Sequence, residues 1–261
     1  MIAEPLPVLP SLRRQHFQRL REVYRSSGWP CHDMLEVDLL ANGLLERRMD
    51  TLSHETLRVT DAGLTQLAQA HADNKAARSA HEALVERVCT EMGRAGRLVW
   101  RGLSLRAQIT ASGLSLQLSG TPDTLKKPDP VQWTIACPDV FSIRHTSVEA
   151  YLEPIVHEIK VSRADLLGDL KKPNKRAAYL GLGGECWYVL GQTARGKPIA
   201  QPEEIPSECG VMLLEGDQGE RLVVARPAPR KPMVNMPFHI WMSLAKATPV
   251  ARSEDAGQAF F

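Results

Sequence analysis

The chain has 261 residues, of which 43% are apolar and 24% charged, and its formal net charge is +2. Those values fit an ordinary globular protein with a sizeable core, arranged as one large domain or two modest ones. They exclude a membrane span, since no apolar run approaches the roughly 18 residues one needs, and so small a net charge does not by itself mark a nucleic-acid binder.

In chain order, the opening MIAEPLPVLP is broken by three prolines and lacks a basic segment followed by an apolar one. It does not read as a signal peptide, and a cytoplasmic protein is expected. Residues 11–27 carry Leu12, Phe17, Leu20, Val23 and Tyr24 at helical spacing, ended by Gly28-Trp29-Pro30. A second helix fits 32–42, with Asn42-Gly43 as its stop. Residues 45–59 read as two short strands with a turn near Leu52–Glu55, after which Thr60 or Asp61 caps a helix to about Ala72. Helices, a two-stranded ribbon and then a capped helix is the order of a winged helix-turn-helix. The string GLLERR…LRVTDAGLTQLA resembles the closing half of many bacterial winged-helix domains. Such a unit contacts DNA or serves as a protein–protein module, and both readings stand.

HADNKAARSA (71–80) is polar and small, a linker or a solvated continuation of helix. An amphipathic helix follows in HEALVERVCTEMGRAG, with Leu84, Val85, Val88 and Met92 as its apolar stripe. Strand-like runs come next at 97–105, 114–120, 131–143 and 151–161, punctuated by TPDTLKKPDP (121–130). A helix spans about Ser162 to Leu170, followed by Pro173, and strands fit 186–191, 210–216 and 220–227. The pattern is mixed α/β. The strip PRKPMVNMPFHIWM (229–242) reads as packing on the body. The five cysteines (Cys31, Cys89, Cys137, Cys186, Cys209) are far apart and odd in number, which suggests neither a zinc knuckle nor a disulfide framework.

Chemistry concentrates in HEIKV (157–161). On a strand, Glu158 and Lys160 share one face while Ile159 and Val161 take the other. A carboxylate and an ammonium on a mostly apolar strand require partners, because an unpaired buried charge is expensive. Asp139 lies in the preceding run, after Pro138, which cannot donate to a sheet ladder and so marks an edge or bulge. If 131–143 and 153–161 form an antiparallel hairpin, Asp139 lies roughly opposite Glu158. Two carboxylates beside Lys160 suit Mg²⁺, which keeps several waters and takes one or two carboxylates plus a substrate phosphate. A structural ion-pair cluster is the alternative.

A PD, a gap of eighteen residues and then EIK resembles the PD-(D/E)XK signature of restriction-endonuclease-like nucleases. EIKVSRADLLGDLKKP is similar to the corresponding segment of MmcB-type DNA-repair proteins, through Ser162, Asp165, Asp169, Lys171 and Pro173. CWYVLG and the following IPSECGVMLLEGDQGERLVVARPAPRK resemble the end of the same domains. The chain departs from that pattern in a longer insertion at 103–130, in Pro138 and in Lys172. The resemblance implies an α/β restriction-endonuclease-like mixed sheet flanked by helices over 79–232. It would be preceded by a small winged helix-turn-helix domain (1–78) and followed by an extension (233–261). It implies a metal-dependent DNA nuclease, acting in repair or in defence against foreign DNA. Catalysis would fall to Asp139, Glu158, Lys160 and Glu82, with Glu86 one turn along as the rival for Glu82. The Mg²⁺ or Mn²⁺ ion would be held by Asp139, Glu158 and, through its backbone, Ile159.

Two basic runs stand out. Five arginines lie between Arg13 and Arg25 against Glu22, and six basic residues lie between Lys160 and Arg176 against Asp165 and Asp169. Lys171, Lys172 and Arg163 are the expected DNA contacts, with solvated helix faces as the alternative. His145 and His157 invite a general-base reading, but His157 alternates with Glu158 and is expected to face away as a packed or capping residue. Trp133, Trp187 and Tyr188 read as core. The expected partner is DNA, with a homodimer for cutting both strands, and no membrane. A non-catalytic DNA-binding regulator and an RNA nuclease are the competing readings.

Overall fold

A computed structural model describes residues 9–110, 131–216, 221–231 and 235–251, and divides the chain into two units, Met1–Ala76 and Ala77–Phe261. The strand expected at 114–120 lies outside the described residues. In the first unit, α1 (Arg14–Arg25) and α2 (Met34–Ala41) precede an antiparallel ribbon of β1 (Leu45–Met49) and β2 (Glu55–Val59). Leu20 and Val23 of α1 are buried with Leu39, Leu44, Leu45, Leu57 and Val59. Tyr24 is instead exposed, and His16 takes an inward position. The imidazole is held on both sides: Nδ1 accepts from the Arg13 N–H at 2.8 Å, and Nε2 lies 2.9 Å from Asp38 Oδ2.

The punctuation of this unit has local causes. Asp33 caps α2 by accepting from the Glu36 N–H at 3.0 Å. Gly28 holds a φ of +75° where a Cβ would sit 2.0 Å from the Leu57 carbonyl oxygen, so no other residue fits. Thr60 Oγ1 accepts from the Gly63 N–H at 3.1 Å and starts α3 (Asp61–Arg94). This helix does not stop near Ala72. It runs for 34 residues, and residues 71–80 form an exposed stretch of it. None of those ten residues is a proline or glycine, so nothing in them breaks a helix.

In the second unit, β3 (Arg97–Arg101) is followed by β4 (Leu105–Thr110), β5 (Val131–Ala136), β6 (Val140–Arg144) and β7 (Ile155–Lys160). Then come α4 (Arg163–Leu170), α5 (Pro173–Leu182), β8 (Glu185–Leu190), β9 (Gly210–Glu215), β10 (Arg221–Arg226) and α6 (Phe238–Ala245). Six strands form one sheet in the order β10-β9-β8-β7-β6-β3, parallel at β7–β8 and β8–β9 and antiparallel elsewhere. The parallel step from β7 to β8 needs a crossover, which α4 and α5 supply. Helix α5 was not expected. Pro173, which follows the expected helix over 162–170, stands in the first turn of the next one, where proline initiates helices.

Residues 131–143 are not one strand. The chain breaks at Cys137-Pro138-Asp139: β5 pairs with β4 in a separate two-stranded ribbon, and β6 enters the main sheet. Leu84, Val85, Val88 and Cys89 of α3 pack with Val99, Val140, Ile159, Trp187 and Val189 on one face of the sheet. On the other, Phe141, Val156 and Tyr188 join Leu166 of α4, Ala177, Ala178 and Tyr179 of α5, and Leu105, Ala107 and Ile109 of β4.

Candidate active site

Strand register brings the acids together. β6 and β7 are paired antiparallel with Val140 opposite His157 and Phe141 opposite Val156. One step further along the same register, Asp139 comes level with Glu158, on the face shared by Phe141 and Val156. The Asp139 carbonyl still accepts from the Gly102 N–H at 3.2 Å beside β3, while its Oδ2 accepts from the Ile159 N–H of β7 at 2.7 Å. Burial pushes the Asp139 carboxyl above its usual range and the negative charge of Glu158 adds to this, while the Ile159 N–H bond opposes it.

Glu158 and Lys160 are 3% and 5% exposed, so both charges survive only by pairing. Lys160 Nζ donates to Glu158 Oε1 at 2.7 Å and lies 3.2 Å from Asp165 Oδ2 and 3.9 Å from Asp169 Oδ1. A second ammonium, absent from the sequence-level site, meets the same oxygen. Lys175 Nζ donates to Glu158 Oε1 at 2.5 Å and to Asp169 Oδ1 at 2.6 Å. Tyr188 closes the cluster by donating to Asp169 Oδ2 at 2.9 Å. Burial disfavours both ammonium groups, yet the Glu158 charge leads the opposing effects that hold both above the usual lysine range. Both lysines meet Glu158 through Oε1. Glu158 Oε2 is buried and makes no hydrogen bond among the described residues.

The remaining expected residues are more dispersed. Glu82 and Glu86 both pair with Arg101, at 2.5 and 2.9 Å, and are more than half exposed. His81 stands between Glu82 and the acids, 3.6 Å from Glu82 Oε1 and 3.4 Å from Asp139 Oδ1. Arg163 grips Glu204 through both guanidinium nitrogens, at 2.8 and 2.5 Å. Arg176 pairs with Glu208 at 3.0 Å. Of the six basic residues from Lys160 to Arg176, Lys171 and Lys172 are exposed on the surface, while the other four carry the acidic partners just named. The basic run is therefore largely neutralised from within. Trp133 is 47% exposed rather than core, with Arg106 stacked 4.9 Å from its ring and His239 meeting it edge-on. His157 is wholly buried with both ring nitrogens unpaired, and burial depresses its pKa to about 3. His145 is exposed.

The donor chemistry fits a hard divalent cation. Asp139 and Glu158 Oε2 are oxygen donors, the Glu158 charge adds to the cost of ionising Asp139, and an unsatisfied buried carboxylate oxygen calls for a partner. Counted as ionised, Asp139, Glu158, Asp165 and Asp169 outweigh Lys160 and Lys175 by two charges, the charge of one such ion. Among the described residues no group of three or more His, Cys, Asp and Glu side chains is placed to hold a metal. A site here would rest on two carboxylates, main chain and water. In the sequence Lys175 stands out only as one of the basic residues between Lys160 and Arg176, and the helix start at Pro173 that carries it inward is the signal that could have placed it. No helix among the described residues is long and apolar enough to cross a membrane. Comparison of the chain with protein-family models, with curated proteins and with solved structures finds no match.

Proposed function

We propose that the protein is a metal-dependent nuclease that hydrolyses phosphodiester bonds of DNA, with a restriction-endonuclease-like second unit and a winged-helix first unit. The observation that carries the reading is that Asp139, one step beyond the Val140–His157 pair, holds the Ile159 N–H next to Glu158, whose Oε2 is buried and makes no hydrogen bond among the described residues. Asp139, Glu158 through Oε2 and the main chain at Ile159 would hold Mg²⁺ or Mn²⁺. Such an ion lowers the pKa of a bound water and offsets charge on the phosphate oxygens. Lys160 holds the Glu158 carboxylate by Oε1, which would leave the other oxygen for the ion, and its buried charge would act on the reacting phosphate through the field rather than by contact. Ile159 orients Asp139 through its N–H.

A second reading is favoured by one observation: Lys160 and Lys175 already neutralise much of the acid cluster without a ligand. That suits a non-catalytic DNA-binding regulator, in which the network is structural. The two are separated by incubating the protein with single-stranded, duplex and branched DNA and with RNA, in Mg²⁺, Mn²⁺ or EDTA, beside Asp139→Ala and Lys160→Ala. Metal-dependent cleavage of DNA that both variants lose supports the nuclease. Cleavage of RNA alone would reassign the substrate. Binding without cleavage under any metal would leave the regulator. A dimer, measured by sedimentation, would account for cutting both strands.

A further inference from the structure

The two ammonium groups of the cluster share an acceptor but not an environment. Lys160 rises from the middle of a buried strand, its side chain is 6% exposed, and three carboxylates surround its nitrogen. Lys175 stands in the first turn of α5, its side chain is 31% exposed, and it reaches Glu158 and Asp169 from the solvent side. Its nitrogen lies 5.2 Å from the ring of Tyr179, which is buried in the core beneath it. That first turn carries no acid, and Lys171 and Lys172 just before it are exposed. A lysine at the positive end of a helix is unfavourably placed unless anions face it. Glu158 and Asp169 supply them from below, and nothing among the described residues supplies one from above.

We propose that Lys175 is the phosphate-contacting cation of this site: it meets a backbone phosphate of the bound nucleic acid, while Lys160 acts as a positioning residue for Glu158. The proposal rests on the nuclease reading. A phosphate oxygen arriving from solvent can join the Lys175 ammonium, which has three donors and uses two of them on Glu158 and Asp169. To reach the Lys160 ammonium, whose side chain is 6% exposed, it would have to displace exposed Asp165 and pass the buried Glu158 and Asp169. Glu158 keeps its Lys160 bond throughout, so Oε2 remains available beside Asp139. The division of labour also explains why two lysines converge on one oxygen: one is fixed, and the other is free to be shared with substrate.

The test is the salt dependence of duplex DNA binding, read by fluorescence anisotropy in Ca²⁺, together with cleavage of the same duplex in Mg²⁺. Losing one phosphate contact makes the slope of log K against log salt shallower by about 0.9, so the loss of affinity from 50 to 200 mM salt shrinks by about 3.5-fold. Lys175→Gln, which keeps a donor for Glu158 and Asp169, should show that change, Lys175→Arg should restore the wild-type slope, and Lys160→Gln should leave the slope unaltered. A structural role for Lys175 would lower the melting temperature without moving the slope. Reductive methylation of the wild-type protein avoids any folding defect of a variant: Lys175 should be modified in the free protein and protected by duplex. Equal modification with and without DNA, no modification in either state, or a slope that Lys160→Gln changes and Lys175→Gln does not would overturn the assignment while wild-type cleavage keeps the nuclease reading. A wild-type protein that neither binds nor cleaves DNA would overturn both.

Discussion

Replacing His157 by leucine should abolish a large part of the protein's acid sensitivity. The imidazole is 0% exposed on β7, between Val140 of β6 and Trp187 of β8, and neither ring nitrogen has a hydrogen-bond partner among the described residues. Burial, with a contribution from the nearby Arg97 charge, lowers its pKa from 6.5 to about 3. A folded-state pKa below the unfolded value means that the unfolded chain takes up a proton the native state refuses. Stability from this ring is therefore full above pH 6.5 and is lost as pH falls toward 3. The slope approaches about 1.4 kcal/mol per pH unit, and between pH 8 and pH 5 the loss comes to about 2 kcal/mol. Leucine is close in volume and removes two unpaired buried nitrogens, so the variant should be at least as stable at pH 8. Urea unfolding at pH 8, 7, 6 and 5 measures the gap, which should widen by about 2 kcal/mol in favour of the variant as pH drops. A gap that stays constant across that range would show that the ring is protonated or hydrogen-bonded in the folded protein, and the reasoning from burial would fail.

Asp139→Asn should weaken Mn²⁺ binding, measured by calorimetry, at least about tenfold, since a coordinating carboxylate is lost; unchanged affinity would move the ion elsewhere. Lys160→Met removes one partner from a buried ion pair and should cost about 3 kcal/mol in urea unfolding, the low end for such changes, because Lys175 still serves Glu158. Tyr188→Phe strips Asp169 Oδ2 of its donor and should cost about 1–3 kcal/mol, with a neutral result showing that water replaces the hydroxyl. Gly28→Ala forces a Cβ against the Leu57 carbonyl at positive φ, so amide-exchange protection should fall in α1 and β2 and persist in β7 and β8. Equal loss in both units would mean that they unfold together.

Much of this molecule follows from rules that act over a few residues. Period-2 alternation sets Glu158 and Lys160 on one side of β7 and His157 and Ile159 on the other. Gly28 and Asn42-Gly43 end α1 and α2, Thr60 starts α3, and Pro138 breaks the run before Asp139. Each of these depends on backbone geometry that the residue itself imposes. The departure of β5 to a separate ribbon and the exposure of Trp133 depend instead on which surfaces meet in the fold. The same holds for charge. Arg163 finds Glu204 across 41 positions and Arg176 finds Glu208 across 32, so a run that looks strongly basic in the sequence is mostly compensated in the structure. Lys175 turns inward to Glu158 because a parallel crossover lays α5 against β7 and β8, and a buried carboxylate draws in whatever ammonium the packing brings near. The sequence by itself determined which residues could carry charge to one face of a buried strand. Only the tertiary structure decided which cations meet them there, because the energy of a buried charge is set by its neighbours in space rather than along the chain.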